Sequence, residues 1–103
     1  LAGAIGGFNA HAANIVAGVF LATGQDAAQV VESSACLTHF EVIRENAEEK
    51  LRVSVTMPCI EVGSIGGGTR LKPQNALLNV LCRSADTRKN PGSKAQTLAK
   101  AIA

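Results

Sequence analysis

Residues 6–29, GGFNAHAANIVAGVFLATGQDAAQ, decide how the rest of the chain is read. Paired glycines open the stretch and a run of small apolar residues follows. Gly24 then breaks the run just ahead of a lone acid, Asp26, set between Gln25 and Gln29. From Asn9 to Thr23 the apolar residues fall on nearly all sides of a helix, the pattern of a buried one. Asn9 suits its N-cap. Gly24 suits its C-terminal stop, because glycine adopts the left-handed conformation that ends helices. His11, Asn14 and Gly18 fall at helical spacing and share one stripe. A polar stripe on a buried helix needs partners or a ligand, since an unpaired buried polar group costs about 1–3 kcal/mol. An acid at the end of such a segment is either a helix cap or a group held for chemistry.

Outward from that stretch, the elements follow in a clear order. Asp26 and Gln29 stand in capping-box spacing before a short second helix, DAAQVVESS. Cys36 to Ile43 reads as a strand and Arg44–Glu49 as a charged turn. Lys50 to Met57 alternates, with Leu51, Val53, Val55 and Met57 on one face and Arg52, Ser54 and Thr56 on the other. Together these predict a half-buried antiparallel hairpin. Pro58 breaks the pattern. A glycine loop, Gly63 to Thr69, then leads into a helix that Pro73 opens, with Leu77, Leu78 and Leu81 on one side. A polar loop over residues 83–92 precedes the last helix. There Ser93 and Gln96 repeat the capping-box spacing, and Ala95, Leu98, Ala99 and Ile102 form the apolar face. The fold class is α/β of the α+β kind: a buried small-residue helix, an antiparallel hairpin, and a Gly-rich loop leading into a helix.

Composition narrows the classes of function. The chain has 103 residues, 47% hydrophobic, 17% charged and 3% aromatic, with a formal net charge of +2. No basic block is interleaved with aromatics, which argues against a nucleic-acid partner. Cys36, Cys59 and Cys82 lie far apart, in neither a metal-binding nor a disulfide pattern, and read as buried free thiols. No metal site is expected. No apolar run reaches membrane-spanning length. So few large side chains make a weak independent core, and the chain reads as an internal piece of a longer protein.

Three features could carry chemistry. Consecutive glycines in the Gly63–Thr69 loop let backbone N–H groups face an anion such as phosphate. The same loop could equally be a tight connection packed against a neighbouring helix. Its spacing is neither GxGxxG nor that of a phosphate-binding Gly-Lys-Ser/Thr loop. Asp26 could be a cap with Gln29, a rigidly held catalytic carboxylate, or both. His11 with Asn14 could line a pocket, or His11 could be a satisfied core residue. Glu61, Arg70 and Lys72 read first as structural or solvated polar groups.

The combination GGFNAHAANIV, then GQDAAQ, then TMPCIEVGSIGGGT, resembles the catalytic domain of 3-hydroxy-3-methylglutaryl-coenzyme A reductases of the eukaryotic-type class. The likeness extends over nearly the whole chain. It is least specific at the Arg44–Glu49 turn and in the last twenty or so residues. Cys59 departs from the serine expected in many relatives. The resemblance implies that residues 1–103 are a fragment of a larger catalytic domain. It also implies reduction of 3-hydroxy-3-methylglutaryl-CoA to mevalonate and CoA with NADPH, in isoprenoid and sterol precursor synthesis.

In that family catalysis uses a Glu, a Lys, an Asp and a His, and Asp26 matches the Asp. Asn14 and His11 match positions lining the hydroxymethylglutaryl pocket. Ile65, Gly66, Gly67 and Gly68 match the segment that touches the nicotinamide cofactor. The other three catalytic residues have no match here, so the isolated piece is expected to be inactive. The resemblance further implies a homo-oligomer with active sites at subunit interfaces. It implies attachment to the endoplasmic reticulum membrane through regions outside this chain. The alternative is a non-catalytic phosphate- or nucleotide-binding module built on the Gly63–Thr69 loop. An oligomerisation scaffold of closely packing small-residue helices is a third reading, and it does not exclude the enzyme.

Overall fold

Four helices and one hairpin make up the computed structural model, which describes residues 11–83, 85 and 90–103. In chain order these are α1 (Ala12–Thr23), a 3-10 turn (Ala27–Gln29), the one-turn α2 (Val30–Ser33), β1 (Leu37–Glu45), β2 (Glu48–Thr56), a second 3-10 turn (Gly67–Arg70), α3 (Lys72–Leu81) and α4 (Ser93–Ile102). The expected α+β class is what is found.

The core lies among the three longer helices. Val16 and Phe20 of α1 meet Leu78 of α3, Cys82 at its end, and Leu98 and Ile102 of α4. The α3 face is narrower than the leucine spacing suggested: Leu78 is buried, whereas Leu77 and Leu81 are over a third exposed. α1 is not buried on nearly all sides either. Val16, Phe20 and Thr23 are buried, but Ile15 is 54% and Leu21 66% exposed. An all-round apolar pattern shows that a helix can be buried; here one face has neighbours among the described residues. Thr23 satisfies its buried hydroxyl by donating to Val19 O at 2.7 Å.

The start of α1 also differs. The expected cap Asn9, and the paired Gly6 and Gly7, lie outside the described residues. His11 stands just before the helix with a left-handed backbone, φ 68°, so it does not continue the stripe of Asn14 and Gly18. The other end is as expected. Gly24 is left-handed at φ 74°, and Gln25 N donates to Phe20 O at 2.8 Å. That six-to-one bond is the Schellman arrangement, and it turns the chain sharply toward Asp26.

Neither capping box forms. Asp26 accepts from Ala28 N, and the Gln29 amide turns away to Glu61. Gly92, not Ser93, caps α4; Ser93 is its first helical residue and its hydroxyl has no partner among the described residues. DAAQVVESS splits into the first 3-10 turn and α2. At α3, Pro73 occupies the first turn as expected.

β1 and β2 pair antiparallel with Phe40 opposite Val53, Val42 opposite Leu51 and Thr38 opposite Val55. The charged turn contracts to Asn46 and Ala47, both at positive φ (51° and 65°), the geometry that matches strand twist in a two-residue hairpin. Apolar and polar residues do segregate between the faces. The hairpin is not half-buried, however: Phe40, Val42, Leu51 and Val53 are each at least 50% exposed. Alternation identifies the face fit for burial but supplies nothing to cover it. The radius of gyration, 16.3 Å, exceeds the roughly 13 Å of a compact domain this long, as expected of a chain with an uncovered hairpin. The cysteines differ from one another as well: Cys82 is buried, Cys36 half-buried and Cys59 exposed.

Candidate functional site

The turn after α1 and the glycine loop come together, although some forty residues separate them in sequence. Gly24 and Gly68 are in backbone contact, with Gly68 N donating to Gly24 O at 3.1 Å. A Cβ on Gly24 would stand 2.4 Å from Gly68 C and 2.7 Å from Thr69 N, so only glycine permits this approach. The Gln25 carboxamide reaches Gly63: Nε2 donates to its carbonyl at 2.9 Å and Oε1 accepts from its N–H at 2.8 Å. Gln29 Nε2 donates to Glu61 Oε2 at 2.6 Å, and the buried Ser33 hydroxyl accepts from Glu61 N at 3.0 Å. Beyond the loop, the Thr69 hydroxyl donates to Gly66 O at 2.5 Å and Asn75 Nδ2 to Thr69 O at 3.1 Å.

These contacts form a cleft of about 160 Å³ whose walls include Asp26, Gln29, Ile65, Gly66, Gly67 and Thr69. Asp26 is exposed on one wall, its carboxylate oriented by the 2.9 Å bond from Ala28 N. Gly66 (φ 95°) and Gly67 (φ 52°) present bare backbone on the other. Among the described residues nothing lies within 4 Å of where a Gly66 Cβ would be. Ile65 is 82% exposed beside them. Gly68 is half-buried in the joint with Gly24 rather than open to the cleft.

The sequence left the loop open as an anion nest or a packed connection, and the geometry favours packing for much of it. The N–H groups of Gly63, Gly68 and Thr69 are already engaged within the chain. Among the described residues no lysine or arginine lines the cleft, and the ionisable side chain on its wall is the acid Asp26. A pyrophosphate does not suit a wall carrying Asp26. Glu61 is the structural polar contact expected of it. Among the described residues no lysine or arginine pairs with Asp26, and no three His, Cys, Asp or Glu side chains converge as metal ligands.

His11 and Asn14 are not part of this cleft. Both are exposed at the opposite end of α1; at 1.5 Å per residue, Asn14 lies about 15 Å along the axis from Gly24. Sequence reasoning thus found both walls of the cleft but missed what joins them. Gln25 gave no local signal, because its partner lies 38 residues away. Gln29 attracted attention for a capping role that it does not perform.

The chain matches, over residues 1–103, the family described as hydroxymethylglutaryl-coenzyme A reductase. It is 54% identical to 3-hydroxy-3-methylglutaryl-coenzyme A reductase 2 of Solanum tuberosum over 103 residues, which are 100% of this chain and 17% of that protein. It is 56% identical to the reductase of Camptotheca acuminata over the same span, again 17% of that protein. Against the reductase of Fusarium fujikuroi it is 55% identical over 102 residues, 99% of this chain and 10% of that protein. The chain therefore spans under a fifth of the length of these relatives.

Proposed function

Because this chain belongs to the hydroxymethylglutaryl-coenzyme A reductase family, we propose that it is a segment of the catalytic domain of an NADPH-dependent reductase. That enzyme converts 3-hydroxy-3-methylglutaryl-CoA to mevalonate and CoA. The observation that carries the reading is the cleft joining Asp26 to the Ile65–Gly67 backbone. NADPH supplies the reducing equivalents for the thioester when bound. The residues present fit its nicotinamide end: Gly66 and Gly67 offer backbone without a Cβ, Ile65 offers an apolar edge, and Asp26 stands across the cleft.

Asp26 is the residue for which a catalytic role is proposed. Its capping bond fixes the carboxylate before any partner arrives, so a lysine ammonium brought beside it stays charged. That ammonium stabilises negative charge developing on the substrate carbonyl oxygen. Such a lysine would come from outside this chain, as would the catalytic Glu and His, and the chain by itself is expected not to turn over substrate. His11 and Asn14 are proposed to contact the hydroxymethylglutaryl group. Their distance from the cleft calls for a site that extends along α1 or is completed by a second subunit. The latter agrees with a homo-oligomer whose active sites lie at subunit interfaces, and with the uncovered apolar faces of α1 and the hairpin. Attachment to the endoplasmic reticulum membrane would use another segment, since among the described residues no helix is long and apolar enough to cross a membrane. The phosphate-binding module is the weaker reading, because the loop N–H groups of Gly63, Gly68 and Thr69 are engaged within the chain and the cleft wall carries Asp26.

The test is Asp26→Asn in the complete enzyme. It keeps an acceptor for Ala28 N but removes the charge. Turnover should fall by roughly a hundredfold or more, the scale of a lost electrostatic or proton-transfer group, with the Michaelis constants for both substrates nearly unchanged. Near-normal turnover would refute the assignment.

A further inference from the structure

Asp26 and the glycine loop belong to separate parts of the chain, and a single side chain ties their spacing. The Gln25 carboxamide bonds both polar groups of Gly63, at 2.9 and 2.8 Å, as a neighbouring strand would. Two antiparallel bonds to one residue fix both distance and orientation. Gln25 is half-buried, and its own backbone N–H closes α1 on Phe20 O. Its main chain is thus fixed to α1 and its side chain to the loop. Two further contacts flank the clamp: Gly68 N to Gly24 O on one side and Gln29 to Glu61 on the other.

We infer that Gln25 is a positioning residue: its carboxamide, paired with the Gly63 backbone, holds the Asp26 carboxylate in register with the exposed Gly66–Gly67 backbone. The inference rests on the proposed reading of the cleft as the cofactor-facing active site. At this length only a carboxamide, or a protonated carboxyl, offers a donor and an acceptor side by side. An ionised carboxylate has the same shape but turns an oxygen toward the Gly63 carbonyl.

Gln25→Glu is therefore a clamp that pH can open and close. Glutamate ordinarily ionises near pH 4.3. The Gly63 carbonyl favours its neutral form, and so do Asp26 and Glu61, which among the described residues line the clefts on either side of Gly63; the Gly63 N–H, donating to the other oxygen, favours the ionised form. In the neutral form the hydroxyl donates to Gly63 O and the clamp closes; in the ionised form the clamp opens.

The experiment compares kcat and the NADPH KM of the complete enzyme, unaltered and as Gln25→Glu, from about pH 8 to about pH 4.5, which reaches the ordinary ionisation range of a glutamate carboxyl. Near pH 8 the variant's kcat/KM for NADPH should be lower by about tenfold or more, the scale of a small misplacement. The deficit should shrink toward the acid end of that range. Gln25→Met, equally long but without either bond, should show a deficit that does not recover. A Gln25→Glu deficit that is flat with pH, or absent, overturns the inference. If Gln25→Glu does not fold near pH 8, it is purified at low pH and its NADPH affinity followed by direct binding on a pH jump, where unchanged affinity is the refuting result. Asp26→Asn separates the two readings. Retained turnover there would refute the catalytic role of Asp26, while the pH-dependent NADPH affinity of Gln25→Glu would still decide the clamp.

Discussion

Replacing Gly24 with alanine should disrupt the joint between α1 and the glycine loop, and the size of the effect follows from the geometry. The backbone is left-handed at φ 74°, which costs an alanine about 1–2 kcal/mol. The new Cβ would lie 2.4 Å from Gly68 C and 2.5 Å from Gly68 O. Both are rigid backbone atoms, so the loop itself must move, at about 1–3 kcal/mol by the scale of overpacked sites. That movement breaks the Gly68 N to Gly24 O bond, worth about 1 kcal/mol. Together these give roughly 3–6 kcal/mol of local destabilisation.

The assay is amide hydrogen exchange of the complete enzyme, read at Gly68 and Leu71, because exchange reports the free energy of local opening. A loss of about 3 kcal/mol or more should speed exchange by at least roughly a hundredfold. Gly18→Ala is the internal control. Among the described residues nothing lies within 4 Å of a Cβ there, so removing a glycine from a helix interior should stabilise α1 by about 0.5–1 kcal/mol. If Gly24→Ala exchanges and melts like Gly18→Ala, the two segments are not in the contact described.

Two other outcomes follow from the same structure. Gly67→Val should raise the NADPH KM with a smaller effect on the acyl-CoA KM, since Gly67 has φ 52° and its Cβ would lie 3.3 Å from Gly24 O; steady-state kinetics with each substrate varied shows this, and equal KM values would point to a packing role alone. Cys82 should alkylate far more slowly than the exposed Cys59, with Cys36 between them, because burial pushes the Cys82 thiol up and outweighs the opposing pull of Lys94. The neutral thiol, donating to Lys94 O at 3.3 Å, supports the folded state at neutral pH, and that support is lost as pH rises through the raised pKa. Mass-resolved iodoacetamide labelling tests the order, and labelling of Cys82 ahead of Cys59 would contradict it.

Much of the fold was legible because it depends on local chemistry. Gly24 ends a helix, Pro73 opens one, and alternation from Leu51 to Val55 marks a strand whose partner is the preceding run. The capping boxes were misleading for a related reason: the spacing of Asp26 with Gln29 permits a box but cannot show that Glu61, 32 residues on, is the partner that Gln29 takes. His11 looked like a helix residue because spacing carries no sign of a left-handed φ. Asp26 and Ile65–Gly68 were identified by motif and then brought together by folding. The clamp that aligns them runs from a side chain to a distant backbone, and backbone partners leave no residue type to read.

The two halves of the chain are held by different physics, and that difference bears on function. The hairpin relies on its ladder and on ion pairs such as Arg44–Glu49 at 2.9 Å, whose side chains are 80% and 64% exposed. Pairs of that kind contribute about 0–1 kcal/mol, and an isolated two-stranded hairpin is marginal in water. With Phe40, Val42, Leu51 and Val53 exposed on one face, the hairpin depends for its order on whatever covers that face. The joint at Asp26 does not. Its glycine contact, its paired amide bonds and its hydroxyl caps all lie within these residues, and α1 anchors it to the Phe20 core. Covering the hairpin should therefore change the stability of β1 and β2 while leaving the spacing of Asp26 and Gly66 as it is, because no residue of β1 or β2 contributes a bond to that joint.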